Sequence, residues 1–171
     1  KYDLSFSYDG YRKLMFLLSV MIIRIRQKHT HMETLSLQKT GLYYEMAGEC
    51  RLFLEKVYKV EIAENEIAYL QTVLASAELQ EINNPQIYSQ FAEENKGLIY
   101  LIPECIQIVE KILNVSLEAD VWFQNSLIYY AVSLQYNLKY GISVQNKATD
   151  WARVNYPDIY VAALSVGHIL E

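Results

Sequence analysis

The chain has 171 residues, 52% of them apolar, which is ample for one large core or two small ones. A formal net charge of −5 and a pI near 5.3 exclude a broad nucleic-acid surface on this piece. Cys50 and Cys105 have neither metal-ligand nor redox spacing and are expected as buried thiols of a reducing compartment.

No secretory signal precedes the fold, and a cytoplasmic location is expected. The chain opens on Lys1 rather than Met and reads as a piece of a longer polypeptide. Residues Lys1 to Phe6 alternate polar and apolar but are too short to assign. A helix is predicted from Ser7 or Asp9, both good caps, to about Lys28. Its most apolar run, Leu14 to Ile25, contains Ser19 and Arg24 and falls short of the roughly 20 residues of a bilayer span. Apolar residues go nearly all the way round it, so it is expected to be a central core helix, with no membrane contact.

Lys28 to Thr34 breaks the periodicity and reads as a loop. A second helix is predicted from Leu37 or Thr40 to Tyr58, with Tyr44, Ala47, Leu52, Phe53 and Leu54 as core positions. After Val60 the run Glu61-Ile-Ala-Glu-Asn-Glu-Ile-Ala-Tyr-Leu70 opens a third helix reaching Leu79. Asn65 or Glu64 is its expected cap, and Ile67, Leu70, Val73, Leu74 and Ala77 form its apolar face. Gln80 to Pro85 has turn chemistry, and a boundary between two units is placed there.

Ile87 to Asn114 reads as helical, with Pro103 either kinking one helix or starting another. Asp120 caps a helix to about Tyr140, with Leu127, Ile128, Ala131, Leu134 and Leu138 on one side, and Gly141 stops it. A connection through Val144 to Asn146, a short helix from Ala148 to Val154, and a last helix from Pro157 to Glu171 complete the chain. Every assigned element is a helix, so the expected class is all-α.

The halves correspond in order. Ser7 to Lys28 lies on Asp120 to Gly141 without a gap, pairing Leu14 with Leu127, and Tyr44 to Glu55 lies on Tyr160 to Glu171. The expected domains are therefore residues 1–82 and 83–171, two copies of one helical unit.

Glu66-Ile-Ala-Tyr-Leu70, after a long helix ending Phe53-Leu54-Glu55, resembles the last helix of a phosphotransferase-system regulation domain, or PRD. In that family a phosphorylatable histidine stands seven residues after the glutamate, a position filled here by Val73. The family's long second helix carries a histidine followed seven residues later by an arginine, then a glycine and an asparagine. Asn137 to Gly141 with Asn146, and Tyr156-Pro157 opening the final helix, are similar to this. The histidine position falls on Tyr130 in the second copy and Leu17 in the first, and the arginine position on Asn137 and Arg24. By this resemblance the first copy lacks its opening helix and the second its closing one.

A PRD pair without histidines at Leu17, Val73 and Tyr130 resembles the divergent Mga and AtxA class of bacterial virulence regulators more than BglG-type antiterminators. The resemblance implies a homodimer, control by proteins of the sugar phosphotransferase system, and nucleic acid bound only through a domain outside this chain. The runner-up within the class is a BglG-type antiterminator whose domain outside this chain binds RNA, and a helical adaptor without phosphorylation input is the alternative from another class.

The remaining phosphoacceptor candidates are His29 and His31, in a loop with Arg24, Arg26 and Lys28, and His168, expected to be a half-buried packing residue. His29 and His31 have no cysteine partner nearby in sequence, and no metal and no cofactor are expected. Glu61, Glu64 and Glu66 sit at a helix start, where the dipole accounts for them. With no nucleophile elbow, phosphate loop or HExxH, an enzyme is not expected. The fifteen tyrosines with Trp122 and Trp151 are read as core and subunit contacts.

Overall fold

Helical periodicity is realised along most of the chain. The computed structural model describes residues 1–29, 39–142 and 148–170. It is all-α apart from one short sheet, and it divides into two compact units, Lys1–Glu94 and Asn95–Glu171.

The first unit runs β1 (Leu4–Phe6), α1 (Tyr8–Arg26), α2 (Leu42–Tyr58), α3 (Glu64–Ser76), β2 (Leu79–Ile82) and α4 (Pro85–Glu94). Ser7 starts α1, its Oγ accepting the Gly10 N–H at 3.1 Å, with Asp9 in the first turn. The central element is α3 rather than α1. From Glu66 to Ser76 only Tyr69 and Gln71 are even partly exposed, as a helix apolar on all sides requires. By contrast α1 leaves Met15, Phe16, Val20 and Ile23 exposed, because only one of its apolar sides meets α3.

The expectation of helices alone is corrected by the sheet. Residue Ala77 turns extended, so α3 ends at Ser76, not Leu79, and the supposed turn at Gln80 to Ile82 is β2. It pairs antiparallel with β1, Leu4 opposite Ile82 and Phe6 opposite Leu79, with an irregularity after Ser5. Leu79 and Ile82 face inward while Gln80 and Glu81 face out. That short in-out-out-in pattern lacks the alternation by which a strand is recognised.

Interior residues of α2 are Leu42, Tyr43, Met46, Ala47 and Leu54, so its stripe is shifted from the expected one, and Leu52 and Phe53 are exposed. The chain leaves α2 through Lys59 in the left-handed region. There the Glu55 carboxylate accepts the Ile62 N–H at 2.9 Å and Arg51 Nε–H at 3.0 Å, fixing the turn into α3. At the other end of α2, Glu94 accepts the Leu42 N–H at 2.8 Å, an anion on a helix N-terminus. This contact is one reason the units divide at Glu94/Asn95 rather than at Ile82/Asn83: α4 packs with α2 and β2.

The second unit runs α5 (Lys96–Ile99), α6 (Ile102–Leu113), α7 (Val121–Lys139), α8 (Thr149–Asn155) and α9 (Pro157–Leu170). Pro103 lies in the first turn of α6 and starts that helix, as an absent N–H permits. Helix α6 packs on α9 through Cys105, Val109, Ala162 and Val166. Burial raises the pKa of both the Cys105 and the half-buried Cys50 thiols. Asp120 caps α7 through the Phe123 N–H at 2.9 Å, but Leu138, expected on the inner side, is exposed. Its neighbour Asn137 is buried instead and bonds the Ser133 carbonyl at 2.6 Å. Glu110 repeats the device of Glu55, accepting the Leu117 N–H at 2.6 Å beyond left-handed Asn114. Trp122 and Trp151 are exposed, so neither is a core residue of this chain.

Gly10 is where α1 meets the end of α3: an added Cβ would stand 2.4 Å from the Glu78 carbonyl oxygen. Gly10→Ala should therefore lower stability by about 1–3 kcal/mol, measured by urea unfolding. Glu55 is held below the ordinary carboxylate pKa, first by the Ile62 N–H and then by Arg51. A depressed folded-state pKa contributes stability that is present above the unfolded value and lost as pH falls through the folded one. Glu55→Gln should lower the Tm at neutral pH, and the gap to wild type should close in acid.

Candidate regulatory site

Three contacts fix how α1 lies on α3. Gly10 abuts Glu78, the Lys13 ammonium donates to the Ser76 carbonyl at 3.2 Å, and the Arg24 guanidinium pairs with the Glu66 carboxylate. The helices are thus antiparallel, and the register between the last two contacts sets Leu17 level with Val73.

Arg24 and Glu66 form the electrostatic centre of this seam. Glu66 is fully buried and Arg24 is 23% exposed. Arg24 also lies over the Tyr69 ring, 4.9 Å from its centroid. Its Nε is buried and has no hydrogen-bond partner among the described residues. Burial raises the Tyr69 pKa; Arg24 opposes this and Glu66 adds to it. The dipole explanation of Glu66 is therefore incomplete: the residue stands in the first turn of α3, but a guanidinium balances its charge inside the core. Of the two expected cap residues, Asn65 holds a first-turn N–H. Ala63 occupies the cap position, and Asn65 Oδ1 accepts the Glu66 N–H at 3.1 Å.

The sequence-predicted positions separate accordingly. Leu17 is half-buried and Val73 buried in the α1–α3 seam, while Tyr130 is exposed on α7 in the other unit. None of the three offers a ring nitrogen. His29 follows the end of α1, is exposed, and its backbone N–H donates to the Arg24 carbonyl at 3.0 Å. His31 lies outside the described residues. His168 is on α9 and is exposed, not half-buried, because Ala162 and Val166 supply the buried side of that helix. Arg24, grouped with the basic loop on sequence grounds, is instead committed to Glu66. The described residues contain no group of three or more His, Cys, Asp or Glu that could hold a metal ion.

A cleft of about 600 Å³ lies between α1 and α2, missed on sequence grounds because it follows from both helices packing on α3. Its walls include Leu18, Ile22, Met46, Phe53 and Leu54. At one end Arg26 reaches the Tyr58 carbonyl at 3.3 Å and covers the Tyr58 ring at 5.8 Å.

These features define a helical unit with a charge-paired seam. Residues 1–77 match the family model described as the PRD domain. No curated protein and no solved structure matches the chain. Among the described helices none is long and apolar enough to cross a membrane.

Removing one member of the Arg24–Glu66 pair leaves the other charge buried. Arg24→Met should cost about 3–5 kcal/mol, whereas Arg24→Met with Glu66→Met should recover most of that loss. Chemical denaturation of the two variants checks both.

Proposed function

We propose that this chain is the regulatory, dimerising segment of a bacterial transcription regulator. Two PRD-like bundles transmit a signal to a DNA-binding domain elsewhere in the polypeptide, and the chain has no catalytic activity of its own. The PRD match over residues 1–77 carries this reading. The tandem arrangement is supported by α1 and α7. Each has 19 residues and is capped by the side chain of the preceding residue, Ser7 or Asp120, which bonds the N–H three residues on.

The class is the Mga and AtxA-like one, in keeping with Leu17, Val73 and Tyr130 at the family's histidine positions. Dimerisation is supported by the outer side of α1, where Tyr8, Phe16 and Val20 are exposed at four-residue multiples. A phosphoryl group carries up to two negative charges, and placed beside such an interface it shifts the association equilibrium. His29, His31 and His168 are the acceptors available to it.

Sedimentation equilibrium should show a dimer that Phe16→Glu with Val20→Glu converts to monomer. Incubation with the phosphocarrier and its phosphorylating enzymes should label histidine and change the dimer constant, and the triple His→Ala variant should lose both effects. Absence of labelling together with an unchanged dimer constant would end the case for phosphotransferase control. A concentration-independent monomer would end the case for dimerisation.

A further inference from the structure

We infer that the cleft between α1 and α2 binds an amphipathic carboxylate, a medium-length fatty acid or a molecule of like shape. The inference goes beyond the regulatory reading and stands without it. Met15 and Arg26 mark the extent of the cleft along α1, 11 residues apart, or about 16 Å at helical rise. Leu18 and Ile22 on one side and Met46, Phe53 and Leu54 on the other make an apolar trough between these limits. A volume of about 600 Å³ is within the range of small-molecule sites.

Charge decides the class of head group. Arg26 lines the cleft where α1 and α2 end, and no carboxylate pairs with it among the described residues. Its Nη2 donates to the Tyr58 carbonyl, which orients the guanidinium and leaves further N–H donors for an anion. The acid of the lining, Glu49, is paired with Lys1. An apolar tail along the trough with its carboxylate at Arg26 satisfies both the walls and the cation. A neutral alcohol of equal length satisfies only the walls, and an amine sets like charges together.

The test uses the full 171-residue chain with decanoate, decanol and decylamine, each below its aggregation limit, read by calorimetry and thermal shift. Decanoate should bind saturably and raise the Tm, with decanol about tenfold weaker and decylamine weaker still. Arg26→Gln should bring decanoate down to the affinity of decanol without changing decanol itself. Ser19→Trp, which fills the middle of the cleft from an exposed position, should abolish binding of both while circular dichroism shows intact helices. If Ser19→Trp unfolds the chain, the Arg26→Gln comparison decides alone.

Equal affinity for decanoate and decanol in wild type, or decanoate binding untouched by Arg26→Gln, would overturn the proposal. So would binding that is absent in wild type and emerges only in the Phe16→Glu, Val20→Glu monomer, which would assign the cleft to a second copy of the chain. None of these outcomes depends on histidine labelling, so failure here and failure of the regulatory reading remain distinguishable.

Discussion

A carboxylate with no solvent exposure has to be balanced where it stands, and in this chain Arg24 balances Glu66. The two residues come from different helices 42 positions apart, so the pair forms only when α1 is laid antiparallel on α3 in one register. An apolar seam tolerates small slips at modest cost. One that carries a desolvated ion pair does not, because a shift by a turn would leave both charges buried and unpaired. Gly10 at the other end of α1 adds a steric limit to the electrostatic one, since only a residue without a Cβ allows the backbone of α1 to approach Glu78. The seam is therefore fixed at both ends by different physics.

The position of α3 follows from the same constraint and determines the rest of the unit. With nearly every residue from Glu66 to Ser76 buried, α3 needs neighbours on several sides and receives them from α1 and α2. Because both use their inner faces on α3, they do not close on each other, and the space between them remains as the cleft. Local devices hold this spacing: Glu55 ties the exit of α2 to Ile62, and Glu94 ties its start to α4. The cleft is thus a consequence of a central third helix, not of any motif in the residues that line it.

Much of the fold was legible because it rests on local signals. Ser7 and Asp120 were identifiable as caps from their side chains and the apolar runs after them, and both act as such. Pro103 and Pro157 were legible for the same reason: a residue without an N–H belongs in a first turn. What escaped depended on partners distant in sequence. Strand β2 is four residues long and exists because β1, more than seventy positions earlier, pairs with it. The phase of α2 is not legible in its own residues, because Leu52 and Phe53 are as apolar as Met46 and only the position of α3 decides which of them is inside. In the candidate site, Leu17, Val73, Arg24 and Glu66 were each singled out from the sequence. That Arg24 belongs to Glu66 and not to the basic loop required the fold. His168 was misplaced for a related reason, since a polar residue in an amphipathic helix gives no sign of how wide the buried stripe is.

The chemistry of the α1–α3 seam limits how a signal can act on it. Leu17 and Val73 stand level in the seam, and neither has an atom able to form a bond to phosphorus. At the far end of the seam Arg24 is already neutralised by Glu66 and covered by Tyr69. A phosphoryl group that drew on Arg24 would have to displace Glu66, and the displaced carboxylate would then be buried without a partner. An input that alters this unit by added charge therefore costs least at the periphery, where water screens it. The end of α1 meets that condition, since Arg26 and His29 are both exposed there, while Arg24 one turn earlier connects the same segment to the core.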